Sequence, residues 1–196
     1  VDNTWLIVGL GNPGKGYELT RHNVGFLFID FLIDEYHDYV GEGREGGDLQ
    51  WWPLKMPSLP LCILAKPLTF MNLSGIAVEK LCHLHSIAPP NLLVVHDDLD
   101  IELGRMKLVY RGGGAGHRGV LSIISTLKSK DFYRIRIGIG RPSKGEAIRD
   151  YVLSPFEEGE IKVLPYILEA AVKGCIIFLR KGLDAGRNLI NAFRLP

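Results

Sequence analysis

Four polar residues of this 196-residue chain stand where α/β proteins do chemistry. Asn12 and His22 follow the apolar run Trp5-Leu6-Ile7-Val8 and the turn Gly9-Leu10-Gly11-Asn12-Pro13-Gly14. Asn72 follows the apolar run 61–65, and Asp97 follows the run 92–96. Such short apolar runs read as buried strands, and ligand sites lie at the carboxyl ends of strands. A histidine titrates near neutral pH, so His22 is a candidate base. Asp97 behind it would hold one ring nitrogen while the other takes a proton. Asn side chains can donate to a developing oxyanion. There is no Gly-x-Ser-x-Gly elbow and no Cys near His22, so the chemistry predicted is attack by activated water, without a covalent intermediate.

Each residue also has a plainer reading. Asn12 could only shape its Pro-Gly turn, His22 could be a core histidine, and Asp97 could cap a turn. Met71, beside Asn72, reads as packing rather than catalysis. Gly9-x-Gly11-x-x-Gly14 matches a dinucleotide fingerprint, but Pro13 removes an N–H that a pyrophosphate would need. No acid closes a second strand about 20 residues on, as a ribose contact requires. Cys82-His83-x-His85 lacks a second ligand cluster for a metal. The carboxylates of His96-Asp97-Asp98-x-Asp100 suit Mg²⁺, yet Asp97 is better used as the partner of His22. No metal is assigned.

Along the chain, strands are expected at 5–10, 61–65, 92–96, 106–110 (an edge) and 133–140. Trp51-Trp52 falls on a short strand within an irregular stretch, 40–60. Helices are expected at 23–38, from Ser74 as cap to 84, and at 117–127, 157–181 and 184–193. This alternation predicts one α/β domain over 1–196, with a twisted, mixed but mostly parallel sheet and helices on both faces. The length suffices for a real core. No apolar stretch reaches the about 20 residues of a membrane span, so no membrane partner is expected. Three scattered cysteines suit a reducing compartment. The expected location is the cytoplasm, with an upstream targeting segment left open because the chain does not begin with Met.

Net charge is +1, but residues 104–144 hold ten basic side chains against one acid, Asp131, and so carry +9. Such asymmetry points to a polyanion. Within it lies Gly112-Gly113-Gly114-Ala115-Gly116-His117, whose backbone can approach a phosphate closely.

The motifs together resemble the bacterial-type peptidyl-tRNA hydrolase family. They are the glycine turn with Tyr17 and Thr20-Arg21-His22-Asn23-Val24-Gly25-Phe26, Lys66-Pro67-Leu68-Thr69-Phe70-Met71-Asn72-Leu73-Ser74-Gly75, and His96-Asp97-Asp98-Leu99-Asp100. The glycine-rich segment 112–119, Arg134-Ile135-Arg136-Ile137-Gly138-Ile139-Gly140-Arg141-Pro142 and Asp150-Tyr151-Val152-Leu153-Ser154-Pro155-Phe156 extend the match. The resemblance implies an esterase that frees tRNA from prematurely released peptides, acting as a monomer without metal or organic cofactor. It makes His22 the general base, Asp97 its orienter, and Asn12 the residue that tells peptidyl-tRNA from aminoacyl-tRNA. Asn72 would hold substrate in a cleft lined by Tyr17, Phe70 and Met71. Arg136 would contact tRNA phosphate, with Arg111 and Lys107 beside it. Arg118 departs from the pattern, since many members have Asn there. It is expected to bind a phosphate or the peptide carbonyl. The alternative is a non-catalytic RNA-binding scaffold of the same family.

Overall fold

A computed structural model describes residues 3–196. Seven strands form one sheet: β1 (Trp5–Gly9), β2 (Arg44–Gly46), β3 (Leu49–Leu54), β4 (Cys62–Pro67), β5 (Leu92–Asp98), β6 (Met106–Tyr110) and β7 (Tyr133–Gly138). Their order is β2-β3-β4-β1-β5-β7-β6. The four central strands β4, β1, β5 and β7 are parallel; at the margins β3 and β6 run antiparallel to them, and β2 pairs antiparallel with β3. The six helices are α1 (Val24–Glu35), α2 (Ser74–Leu84), α3 (Arg118–Leu127), α4 (Ile148–Val152), α5 (Glu158–Lys181) and α6 (Leu183–Ile190).

Side-chain alternation assigns the layers. Ile7, Leu93 and Val95 pack against Phe28 of α1, Ile167 of α5 and Ile190 of α6. Leu6, Val8 and Val94 pack against Val78 of α2 and Ile123 of α3. Strands covered on both faces read as continuous apolar runs, which is why β1, β4 and β5 were visible in the sequence.

The antiparallel margin on the β4 side was not expected at this extent. Residues 40–60 contain the β2–β3 hairpin, and Leu49 and Leu54 are buried by pairing with Pro67 and Cys62 of β4. That pairing is non-local and overrides the Gly and Pro content. Ser74 does not cap α2: it is the first helical residue, and its Oγ donates to the Met71 carbonyl at 2.8 Å. The short α4 was also missed, because five residues carry too little periodicity to be recognised.

Glycines at the end of β1 and the start of α1 let the helix approach the sheet. A Cβ on Gly9 would lie 2.0 Å from the Gly25 carbonyl oxygen, and one on Gly11 would lie 2.7 Å from the Phe26 ring. A Cβ on Gly25 would lie 2.4 Å from both the Leu10 nitrogen and the Val95 oxygen. The first turn of α1 therefore rests on the seam where the Leu10 N–H bonds the Val95 carbonyl. These glycines serve helix–sheet contact.

Gly25→Ala must force this seam apart. Overpacking of this kind costs about 1–3 kcal/mol. A Cβ on Gly16 would meet nothing within 4 Å, so Gly16→Ala should stay within about 0.5 kcal/mol of the parent. Thermal and urea unfolding of the two variants check the difference; equal stabilities would refute the close-approach account.

Candidate active site

His22 sits on the single turn Arg21–Asn23 that leads into α1. Its neighbours anchor it from both sides. The buried Arg21 guanidinium donates to Glu160 at 2.8 Å and to the Tyr151 carbonyl at 3.3 Å, and lies 4.2 Å from the centre of the Tyr151 ring. The Asn23 carboxamide exchanges two hydrogen bonds with the Asn12 backbone: Asn12 N donates to Oδ1 at 2.8 Å, and Nδ2 donates to Asn12 O at 2.9 Å.

Asp97, only 3 % exposed, faces two imidazoles. His22 Nδ1 lies 3.0 and 2.9 Å from its two oxygens, and His117 Nε2 lies 2.8 Å from Oδ1. Burial alone would push the Asp97 carboxyl up. The electrostatic attraction and hydrogen bonds of the His22 and His117 rings outweigh it and hold the group ionised, well below the usual carboxylate range.

The partners assign the protons. His117 is the N-cap of α3, and its Nδ1 accepts from Gly119 N at 3.1 Å and Val120 N at 3.3 Å. A nitrogen that accepts carries no hydrogen, so His117 is protonated on Nε2 and donates to Asp97. An ionised carboxylate only accepts, so His22 presents Nδ1–H to it. In the neutral ring the lone pair is then on His22 Nε2, which makes no hydrogen bond among the described residues. Behind this pair lies His96, fully buried, with its ring centre 4.8 Å from that of His117. Burial lowers its basicity. Its Nδ1 donates to the Asp97 carbonyl at 2.8 Å, and Arg134 donates to its Nε2 at 3.3 Å.

His22, Asp97 and His117 are also the one group of three potential metal ligands among the described residues. Their contacts of 2.8–3.0 Å are those of shared protons. Ligands of a tetrahedral zinc with bonds of about 2.0–2.1 Å stand about 3.3 Å apart. The donor set fits a hydrogen-bonded relay.

Asn12 is held differently from the expectation. Its Oδ1 accepts from the Met71 N–H at 2.9 Å, 59 residues away, so that contact rather than the Pro-Gly turn fixes the carboxamide. Its Nδ2 is left without a partner among the described residues. The Met71 side chain is buried, in agreement with the packing reading. A Cβ on Gly119 would lie 2.5 Å from its sulfur and 2.9 Å from Leu10 Cδ1, so the glycine lets the start of α3 close on both without shifting them.

These groups share a cleft of about 540 Å³. Asn12, Tyr17, His22, Phe70, Met71, Asn72 and Asp97 all line it, so the predicted cleft residues lie together. Phe70 is 60 % exposed at the mouth. The opposite wall is the 114–118 loop with Arg118 and the unforeseen α4, through Ile148 and Val152. Burial pushes the thiols of Cys62 and Cys82 up to about 12 and about 11, and neither lines this cleft.

The basic residues are more heavily paired than their charge count implies. Arg111 bonds Asp131 and Arg136 bonds Asp98, each at 2.7 Å, and Arg141 bonds Asp100 at 2.9 Å. Lys107 is exposed directly opposite Arg136 across β6 and β7. Arg118 is exposed at the first position of α3. The residues that sequence reasoning missed are His117 and Asn23. Both lay inside recognised motifs, but histidine is not a typical N-cap, and neither partner is local.

Comparison with known proteins agrees with this geometry. The family model described as peptidyl-tRNA hydrolase matches residues 6–196. The chain is 45 % identical over 194 residues to a peptidyl-tRNA hydrolase of Oleidesulfovibrio alaskensis, covering 95 % of this chain and 96 % of that one. It is 46 % identical over 177 residues to that of Aquifex aeolicus, covering 86 % of each. The crystal structure of peptidyl-tRNA hydrolase from Acinetobacter baumannii superposes with a TM-score of 0.89 at 32 % identity, over 99 % of this chain and 97 % of that chain. The chain belongs to the peptidyl-tRNA hydrolase family.

Proposed function

We propose that this chain hydrolyses the ester between a peptide, or an N-blocked amino acid, and the 3′ ribose of tRNA. The observation that carries the reading is the Asp97 carboxylate shared by two imidazoles, which leaves His22 Nε2 as the free ring nitrogen at the cleft. In this reading His22 Nε2 takes a proton from water as the water oxygen attacks the ester carbonyl. The tetrahedral adduct then collapses, and the imidazolium returns the proton to the departing ribose oxygen. Asp97 stabilises the imidazolium in between. A non-catalytic scaffold would have no use for a base with one fixed tautomer. All the groups come from one chain, which fits action as a monomer, and the substrate fits a cytoplasmic protein.

Asn12 offers only a donor to the cleft, since its oxygen is taken by Met71. A donor matches the carbonyl of an acylated amino group and opposes a free ammonium, which is donor-only. Asn72 and Tyr17 flank the same space, and Phe70 supplies an apolar lip for the peptide. On the tRNA side, Lys107 and Arg136 stand directly opposite each other. A phosphate seated between them would meet two cationic side chains at once. Arg111 and Arg136 each hold an acidic partner, Asp131 and Asp98, while Lys107 has none among the described residues.

N-acetyl-aminoacyl-tRNA mixed with the protein should release free tRNA without added metal. His22→Ala should slow the cleavage step about 10²–10⁴-fold while tRNA binding persists; near-normal turnover would remove His22 from this role. Asp97→Asn should be of similar severity. His117 must still donate from Nε2, so it keeps the Asn oxygen, and the Asn NH₂ then faces His22 Nδ1. That moves the His22 proton to Nε2, the wrong nitrogen for a base. Single-turnover rates check this; a mild effect would refute the tautomer assignment.

Asn12→Asp keeps the acceptor for Met71 but replaces the donor in the cleft by an anion. The ratio of activity on N-acetyl-aminoacyl-tRNA to activity on free aminoacyl-tRNA should fall. If both activities drop by one factor, Asn12 does not discriminate.

Arg118 stands at a helix N-terminus, which already favours anions. Arg118→Ala should raise KM for tRNA substrates more than it lowers kcat, and the effect should shrink at high salt. A salt-insensitive loss confined to kcat would instead place Arg118 in the chemistry.

A further inference from the structure

The acidic end of β5 contains a carboxylate that the hydrolytic scheme leaves unused. Asp97 continues the row of Leu93 and Val95, while Asp98 continues the row of Val94 and His96 on the opposite sheet face. Asp98 is buried with 5 % of its side chain exposed, and both its oxygens are occupied. Oδ1 accepts from the Asp100 N–H at 2.8 Å, closing the turn after β5. Oδ2 accepts from Arg136 Nε at 2.7 Å.

The form of that ion pair is informative. The strong arrangement of an arginine with a carboxylate is bidentate, with two parallel N–H···O bonds. Here the turn takes one oxygen, so the carboxylate holds Arg136 by Nε alone. The two Nη groups make no hydrogen bond among the described residues, and the side chain remains 21 % exposed. A guanidinium presents five donors in a rigid plane. Fixing Nε against a buried partner therefore fixes the direction of the other four. They lie on the sheet face that carries His96 and Lys107, in one cross-strand row from the interior to the edge.

We propose that Asp98 is a positioning residue for substrate binding: it orients the Arg136 guanidinium so that its Nη edge meets a tRNA backbone phosphate beside Lys107. This rests on the reading of Arg136 as a phosphate contact. Neighbouring residues of one strand end then serve the two halves of the substrate, Asp97 the ester through His22 and Asp98 the phosphate through Arg136.

Charge and orientation predict opposite signs. Asp98→Asn removes a negative charge beside a phosphate site, which by charge alone strengthens tRNA binding. By orientation it weakens binding, because an Asn side chain whose oxygen still caps Asp100 N turns an NH₂ donor toward Nε. The measurement is kcat/KM on N-acetyl-aminoacyl-tRNA divided by kcat/KM on an N-acetyl-aminoacyl ester of adenosine, which has the ester but no tRNA phosphates. Partial loss of folded protein cancels in this ratio. Asp98→Asn should lower the ratio about two- to tenfold, the worth of one hydrogen bond, through KM rather than kcat. Asp98→Ala, which sets no donor against Nε, should change it in the same direction. In an Arg136→Ala background, Asp98→Asn should lower the ratio no further. A ratio that stays level or rises in both Asp98 variants while Arg136→Ala still lowers it would overturn the proposal alone. A ratio unmoved by Arg136→Ala would overturn the phosphate reading on which it rests.

Discussion

A buried negative charge organises this molecule. A carboxylate taken out of water is costly unless it is paired and hydrogen-bonded, and Asp97 is nearly sealed from solvent at the end of the central strand β5. Its two oxygens are satisfied by rings from the start of α1 and the start of α3, helices on opposite faces of the sheet. The carboxylate thus ties both helical layers to one point. The same requirement fixes the tautomers, because the nitrogen that donates to Asp97 dictates which nitrogen of each ring stays free. In His117 the free nitrogen is spent on the amides of α3. In His22 it is left for the cleft.

The close approach of those layers depends on missing side chains. Gly9, Gly11 and Gly25 let α1 touch the backbone seam of β1 and β5, and Gly119 lets α3 close on Met71. The polar contacts are then short enough to define direction. Arg21, Asn23 and the Met71 amide act as outer braces, each linking the site to a distant segment of chain. Side chains held this way are oriented in advance, as the proposed base and donor would need.

The charge asymmetry of the chain also has a structural sense. The acidic stretch Asp98 to Glu102 immediately precedes the basic segment, and its members pair with Arg136, Arg141 and Arg105. The free cationic surface is a selected subset, with Lys107 on β6 and Arg118 at the start of α3 unpaired among the described residues. Net charge counted along the sequence thus overstated the free cationic surface.

Much of the fold and the core of the site was legible in the sequence. Buried parallel strands betray themselves as apolar runs, and polar groups just beyond their ends point to a shared edge. That logic singled out His22, Asp97, Asn12 and Asn72, which line one cleft. The β2–β3 hairpin, the five-residue α4, the capping role of His117 and the clamp of Asn23 on Asn12 were not. Each rests on partners that local periodicity cannot see: β4 for the hairpin, Asp97 for His117, and a turn 11 residues away for Asn23. The sequence by itself determined which residues are chemically competent and the layered α/β architecture, because apolar spacing and residue type are local properties. Only the tertiary structure decided which nitrogen of each histidine carries the proton, which end of Asn12 faces the cleft and which arginines remain free. Those depend on hydrogen bonds between segments brought together by packing, and a donor's direction is set by its partner.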